Sequence, residues 1–238
     1  MNIALIGYGK MGKVIEQIAL QRNHNITLII DLENQHQFAK ENFINVDVAI
    51  EFTTPHTAMD NLAKCAFIGV PVVCGTTGWY NKAEEIETLF KEHNGSLLYT
   101  SNFSIGVNLF FKINEYVAKL LSSQSQYSVS LQEIHHTQKK DAPSGTALSL
   151  ANQILPFYPN KKSIVNTKTN DDNVLSIESL REDPAPGTHH IMYESIEDSI
   201  QITHTAHNRN GFALGAVLAA EYIYNKKGIF TMQNVLNI

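Results

Sequence analysis

The hexamer Gly7-Tyr8-Gly9-Lys10-Met11-Gly12 constrains this chain more than any other stretch, because of what stands on either side of it. Ile3 to Ile6 is a short apolar run of strand type, and from about Met11 to Arg22 apolar residues recur at helical spacing. A second apolar run, Ile26 to Ile30, ends at Asp31. Strand, glycine turn, helix and strand make a βαβ unit, whose two strands must be parallel and whose crossover must be right-handed. In such a unit the glycines allow a tight turn and let backbone approach a pyrophosphate at the helix N-terminus, and an acid at the end of the second strand accepts hydrogen bonds from ribose hydroxyls. Gly7, Tyr8, Gly9, Lys10, Met11, Gly12 and Asp31 are therefore candidate dinucleotide contacts. The competing reading is a glycine turn that only packs helix on strand.

The alternation continues, with strands expected at Val46 to Phe52, Val70 to Cys74 and Ser96 to Thr100 and helices at about Thr57 to Phe67 and Ala83 to His93. This is the pattern of an α/β, Rossmann-like parallel sheet, in which ligands lie at the carboxyl ends of the strands. Three loops stand at that edge: Phe52-Thr53-Thr54-Pro55; Gly75, Thr76 and Thr77 with Gly78; and Thr100, Ser101, Asn102 and Phe103. Their small residues, hydroxyls and amides suit ribose and nicotinamide, although each alone is an ordinary strand-to-helix turn. Trp79, the only tryptophan, is expected to be a packed loop aromatic.

Beyond residue 105 the pattern changes. An amphipathic helix from Gly106 to Leu121 carries Val107, Phe110, Phe111, Val117 and Leu121 as core positions. Strands follow at about Tyr127 to Ile134, Val174 to Leu180, His189 to Glu194 and Ile200 to Thr205, with Phe157 to Asp172 as a loop or edge excursion. The last helical pattern, Asn210 to Tyr224, is expected to return to the first domain. Residues 1–105 and 209–238 would then form the dinucleotide-binding domain, and 106–208 an inserted α+β mixed-sheet domain for substrate binding and oligomerisation. Two chain crossings make a hinge natural.

Composition removes several classes. With 18 Lys+Arg against 23 Asp+Glu the formal charge is −5, which argues against a nucleic-acid footprint. No apolar run is long enough to cross a membrane, and the N-terminus lacks the charged start and cleavage site of a signal peptide, so a cytoplasmic location is expected. Cys65 and Cys74 have no CxxC spacing and are expected to be buried free thiols.

The chemistry concentrates in Glu133 to Ala147, EIHHTQKKDAPSGTA. Val129, Leu131 and Ile134 alternate with polar residues in a half-buried strand that leaves His135 and His136 at its end. Pro143 biases Ala142 away from helix. Ser144-Gly145-Thr146 then opens a helix, Thr146 to Leu155, with Leu148, Ala151 and Leu155 on one face, so free N–H groups at its start can hold a carboxylate. For an arbitrary cluster of this type, a solvated basic turn is the plain alternative.

The run HHTQKKDAPSGTA resembles the signature of the dihydrodipicolinate reductase family, also called 4-hydroxy-tetrahydrodipicolinate reductases, and the resemblance extends over essentially the whole chain. It implies NAD(P)H-dependent reduction of a cyclic imine dicarboxylate in lysine and diaminopimelate synthesis. It implies His135 as the acid/base residue and Lys139 as a proton donor, with His136, Gly145 and Thr146 binding substrate; Ser144, at the same helix start, is a further candidate substrate contact. A homotetramer is also implied by the family alone. NRNGFALGAV resembles the family's second crossing, where Arg209 stands either near the ligands or on the surface. The segment around Arg181 to Gly187 is the weakest correspondence. Leu32 and Glu33 follow Asp31 where phosphate-accepting relatives carry a basic residue, so NADH is expected to be preferred and NADPH to be the alternative. No metal is expected: adjacent histidines on a strand point to opposite faces, and a zinc site would need residues from separate elements. The other functions in view are a different two-domain NAD-dependent amino-acid or semialdehyde dehydrogenase and a non-catalytic NAD(H) sensor, neither of which calls for HHxxKxDAPSGTA.

Overall fold

The computed structural model describes residues 1–238. Its chain divides into two compact units, Met1–Asn108 with Arg209–Ile238, and Leu109–Asn208. The first opens with β1 (Asn2–Ile6), α1 (Lys10–Gln21), β2 (Asn25–Ile30), β3 (Val48–Glu51), α2 (Pro55–Ile68), β4 (Val72–Cys74), α3 (Ala83–Glu92) and β5 (Ser96–Tyr99). Every residue of β3 and β4 is buried, as expected of central parallel strands covered by helices on both faces. Pro55 at the first turn and reciprocal capping by Thr54 and Thr57 start α2, and Gly69, at φ 86°, ends it. No side chain caps α1, whose N-cap is Gly9, and its first turn holds no acid. The donors at its start therefore face the glycine loop without competition.

Helix α4 (Ile105–Leu121) begins in the first unit and runs into the second. There follow β6 (Ser128–His135), α5 (Gly145–Ile154), β7 (Ser163–Val165), β8 (Val174–Arg181), β9 (Gly187–Glu194) and β10 (Ser199–Ala206). The sheet order is β10-β9-β6-β8-β7, with β6 parallel to β8 and antiparallel to β9. One face is a core in which Val129, Leu131, Ile177, Ile191 and Tyr193 meet Leu150 and Ile154 of α5 and Phe110 and Leu121 of α4. Each such aliphatic or aromatic side chain contributes about 1.5–3 kcal/mol by leaving water. Fully buried Asn114 of α4 donates to the Leu150 carbonyl at 3.1 Å and to Gln153 Oε1 at 3.0 Å, fixing α4 against α5.

Two readings of this unit need correction. The inward face of β6 is Val129, Leu131, Glu133 and His135, not Ile134, which lies half-buried on the other face. The period of two was right, but a carboxylate and an imidazole hold the positions where apolar residues were sought. The buried stripe of α5 is Ala147, Leu150, Ala151 and Ile154, whereas Leu148 is exposed. Phe157 to Asp172, expected as a loop or edge excursion, does hold an edge strand, Ser163–Val165, parallel to β8.

The chain then re-enters the first unit as α6 (Asn210–Ile223), β11 (Gly228–Phe230) and α7 (Met232–Leu236). Strand β11 pairs with β5 and completes an all-parallel sheet of order β11-β5-β4-β3-β1-β2. Small residues form the buried face of α6, among them Ala213, Gly215, Ala216, Ala219 and Ala220, while Phe212, Leu214 and Leu218 are only partly buried. A helix laid closely against a sheet and α1 leaves little room between backbones, and these small residues fit it. No helix is long and apolar enough to cross a membrane.

Candidate active site

In the second unit the motif residues collect at the end of β6. Glu133 is fully buried, and its carboxylate accepts the Ser144 N–H at 3.0 and 3.2 Å and the Ser179 hydroxyl at 2.8 Å. His135 follows on the same face, with Nδ1 3.4 Å from Glu133 Oε2 and its ring edge-on to His189 of β9 at a centroid separation of 5.1 Å. His189 Nε2 lies 3.3 Å from Ser144 Oγ and 3.7 Å from Glu133 Oε2. Burial lowers the His135 pKa and Glu133 opposes it, but Lys139 and Arg181 push downward too, leaving the imidazole below its ordinary value. Burial and neighbouring His135 push His189 down to about 4, against the pull of Glu133. Burial alone would raise Glu133; hydrogen bonds from Ser144 and Ser179 outweigh it and keep the carboxylate ionised.

The loop after β6 is clamped from β8 and the segment that follows it. Arg181 donates from Nε to the Lys139 carbonyl at 3.2 Å and from an Nη to the Asp141 carbonyl at 2.6 Å. Asp183 accepts from the Thr137 N–H at 3.2 Å and from its hydroxyl at 2.5 Å. Lys139 Nζ is held by both carboxylate oxygens of Asp141, at 2.8 and 2.9 Å. His136 lies just past the strand, half-buried, and its carbonyl accepts the Lys139 N–H at 3.1 Å. Ser144 is the N-cap of α5, its hydroxyl accepting from the Ala147 N–H at 3.2 Å, with Gly145 exposed and Thr146 half-buried at the first turn. Nothing lies within 4 Å of where a side chain on Gly145 would begin.

In the first unit, Gly9, Lys10, Met11, Gly75, Thr76 and Thr77 line a cleft of about 430 Å³ together with Phe52, Thr53 and Pro55. Gly7, at φ 93°, can carry no side chain because a Cβ would run into the Phe52 carbonyl, and one at Gly12 would run into the Gly7 carbonyl. The backbone at the start of α1 is thus bare and open at Gly9, which fits a pyrophosphate. Two of the loops are cross-tied: the Thr53 N–H donates to Thr76 Oγ1 at 2.7 Å, while buried Glu51 takes the Thr53 hydroxyl and lies 3.1 Å from Cys74 Sγ. Trp79, buried, donates to the Thr76 carbonyl at 2.8 Å and braces the same loop. Cys65 and Cys74 are both buried and free.

Asp31 and Thr100 to Phe103 do not line that cleft. Asp31 is exposed at the end of β2, accepting from the Leu32 N–H at 2.9 Å while Asn34 Oδ1 accepts its own N–H at 2.6 Å. Thr100 Oγ1 accepts the Asn102 N–H at 3.2 Å, and Asn102 Oδ1 accepts the Ser104 N–H at 2.9 Å, shaping a turn with Ser101 exposed at its tip. Phe103 puts its ring into the core, 5.7 Å from that of Phe52, so the side chain is not free to meet a ligand. Arg209 is exposed at the start of α6.

Residues 1–103 match the family model "Dihydrodipicolinate reductase, N-terminus", and residues 106–236 match "Dihydrodipicolinate reductase, C-terminus". The chain belongs to the dihydrodipicolinate reductase family. A 4-hydroxy-tetrahydrodipicolinate reductase of Christiangramia forsetii is 46% identical across 100% of this chain and 98% of its own length. One from Methanocaldococcus jannaschii is 36% identical over 81% of this chain and 72% of its own. A solved dipicolinate-bound dihydrodipicolinate reductase from Paenisporosarcina sp. TG-14 shares the fold, with a TM-score of 0.79 over 98% of each chain at 22% identity.

Against this family background, the residues that sequence reasoning left out are Glu133, Ser179, Arg181, Asp183 and His189. Ser179 and Arg181 reach the site only because β8 lies parallel to β6, with Glu133 opposite Ser179 and His135 opposite Arg181. His189 arrives from β9, directly opposite Glu133. The one available signal was the acid at an inward strand position. Glu133, His135 and His189 also bring one metal-ligating atom each within 4.8 Å of one another. The objection to adjacent histidines does not touch this set, which comes from two strands. Its surroundings suit protons better than a divalent ion, because Arg181 and Lys139 stand beside it and Ser144 and Ser179 already engage the carboxylate.

Proposed function

We propose that this reductase converts 4-hydroxy-tetrahydrodipicolinate to tetrahydrodipicolinate in lysine and diaminopimelate synthesis, with NADH as the preferred reductant. The observation that carries the residue roles is that one segment, Glu133 to Ala147, presents an imidazole, an ammonium and a helix start together. A bound nicotinamide cofactor supplies the hydride. Gly7 to Gly12 and the cleft at Gly75 to Thr77 hold that cofactor, with Asp31 on the ribose hydroxyls and the Thr100 to Phe103 turn near the nicotinamide. His135 protonates the enamine-like anion that forms on the substrate, Lys139 stabilises negative charge as it develops, and the donors of Ser144, Gly145 and Thr146 fix a ring carboxylate, with His136 beside them.

A coupled assay tests this reading, with the pathway's synthase generating the unstable substrate in situ. Substrate-dependent NADH oxidation is expected; its absence with folded protein overturns the reading. The reading includes a homotetramer acting in the cytoplasm, and light scattering on the purified chain checks the tetramer.

A further inference from the structure

The least expected residue of the inward face of β6 is Glu133. Val129 and Leu131 precede it on that face, and a leucine would continue their core. An ionised carboxylate at full burial costs several kcal/mol unless it is partnered. Here the partners are the groups of the site: Oε1 takes the Ser144 N–H and the Ser179 hydroxyl, and Oε2 shares the Ser144 N–H. Oε2 also lies at ion-pair distance from His135 Nδ1, 3.4 Å, and from His189 Nε2, 3.7 Å, and the buried Nδ1 has no hydrogen bond of its own, so this carboxylate is the charge it faces. The far side of the His135 ring is kept clear. Gly187, at φ 156°, lies opposite Nε2, and a Cβ there would come within 3.0 Å of that atom.

We propose that Glu133 is a positioning residue that holds a proton on His135 Nδ1, so that Nε2 is the nitrogen that gives its proton to the substrate, while the same carboxylate anchors Ser144 at the carboxylate-binding start of α5. This rests on the reading of His135 as the acid. In the step, the Nε2–H bond of the imidazolium breaks and its electron pair stays on nitrogen. The proton bonds to the substrate carbanion carbon, and neutral His135 remains with its Nδ1–H directed at Glu133. One positive and one negative charge are lost together. The charged groups facing His135 are Glu133 on its own strand, Lys139 and Asp141 on the following loop, Arg181 on β8 and His189 on β9. Glu133 and Asp141 favour the imidazolium, Lys139 and Arg181 disfavour it, and His189 is held neutral by its burial.

Glu133→Gln keeps the size and an acceptor for Ser144 but removes the charge. The acid then loses its proton at lower pH, so the alkaline limb of the kcat/KM profile should move down by about one pH unit. The Kd for NADH should stay within about twofold, since that site belongs to the other unit. An unmoved limb in a folded Glu133→Gln protein overturns the proposal. Imidazole nitrogen NMR on the unaltered protein tests it even if that variant does not fold: neutral His135, assigned by its loss in His135→Gln, should be the Nδ1–H tautomer, and the Nε2–H tautomer would refute the idea. An unchanged kcat in His135→Gln would overturn the acid assignment itself, a separate failure from an unmoved limb.

Discussion

The Ser144 N–H donates to both oxygens of the buried Glu133 carboxylate, at 3.0 and 3.2 Å, while the Ser144 hydroxyl caps α5 through the Ala147 N–H at 3.2 Å. One serine therefore ties the strand that carries His135, the proposed acid, to the helix start proposed to bind the substrate carboxylate. Ser144→Ala removes the cap and leaves the backbone bond to Glu133, so unfolding free energy should fall by about 1 kcal/mol. Urea titration of the whole chain measures this; a midpoint unchanged from wild type would mean that the cap carries no weight.

Gly145 stands in open space, with nothing within 4 Å of where a Cβ would sit. Gly145→Val should leave stability and NADH affinity intact but raise the substrate KM by roughly tenfold, because the added methyls occupy the approach to the donors of α5. Equal losses of substrate and NADH affinity would point to a damaged fold instead.

His135→Gln and Lys139→Ala should each lower kcat by on the order of 10², the usual size of general-acid or electrostatic assistance. Lys139 is held by Asp141 on an Arg181-clamped loop, so its ammonium is in place before substrate arrives. Steady-state kinetics beside NADH titration separates the chemical step from cofactor binding. Unchanged kcat in both variants removes the pair from the mechanism.

His189 titrates at 6.5 in an ordinary environment and at about 4 here, because burial and His135 disfavour its charge. Between those values the unfolded chain binds more protons than the folded one, so stability rises with pH across that window. From pH 7 down to pH 5 the loss should be about 2 kcal/mol. Glu133, whose pKa is lowered, acts further down: its contribution is present above the ordinary carboxylate range and disappears as pH falls through its folded value. Denaturant titrations at pH 7 and pH 5 measure the slope, and His189→Gln should flatten it.

Asp31 is exposed at the end of β2 and is followed by Leu32 and Glu33, and its hydrogen bonds run to Leu32, Asn34 and Gln35, none of them basic. A 2′-phosphate there would face like charge, partly offset by Lys10 and by solvent screening. The kcat/KM ratio should favour NADH over NADPH by roughly tenfold, about 1.4 kcal/mol in the transition state. Measurement at matched ionic strength decides it, and a ratio of one or below would show that Lys10 neutralises the phosphate.

The sequence by itself determined the parallel sheet, the glycine loop and the strand-loop-helix run from Glu133 to Ala147. Those features are written in local periodicity and turn chemistry, which act over a few residues. It also placed His135, the proposed acid, with the Lys139 ammonium and the Ser144 helix cap, since all lie on one short segment. What it could not display was the buried surround. Glu133 reads locally as one more polar residue in an alternating strand, and it becomes a core carboxylate only when β8 delivers Ser179 and Arg181 and β9 delivers His189. Strand pairing between residues more than forty positions apart is fixed by the packing of Leu131, Ile177 and Ile191 against α5, not by any neighbour in the chain. The three-residue strands β7 and β11 were hidden for the same reason: each is too short to show a period, and each exists only because a longer strand offers it an edge.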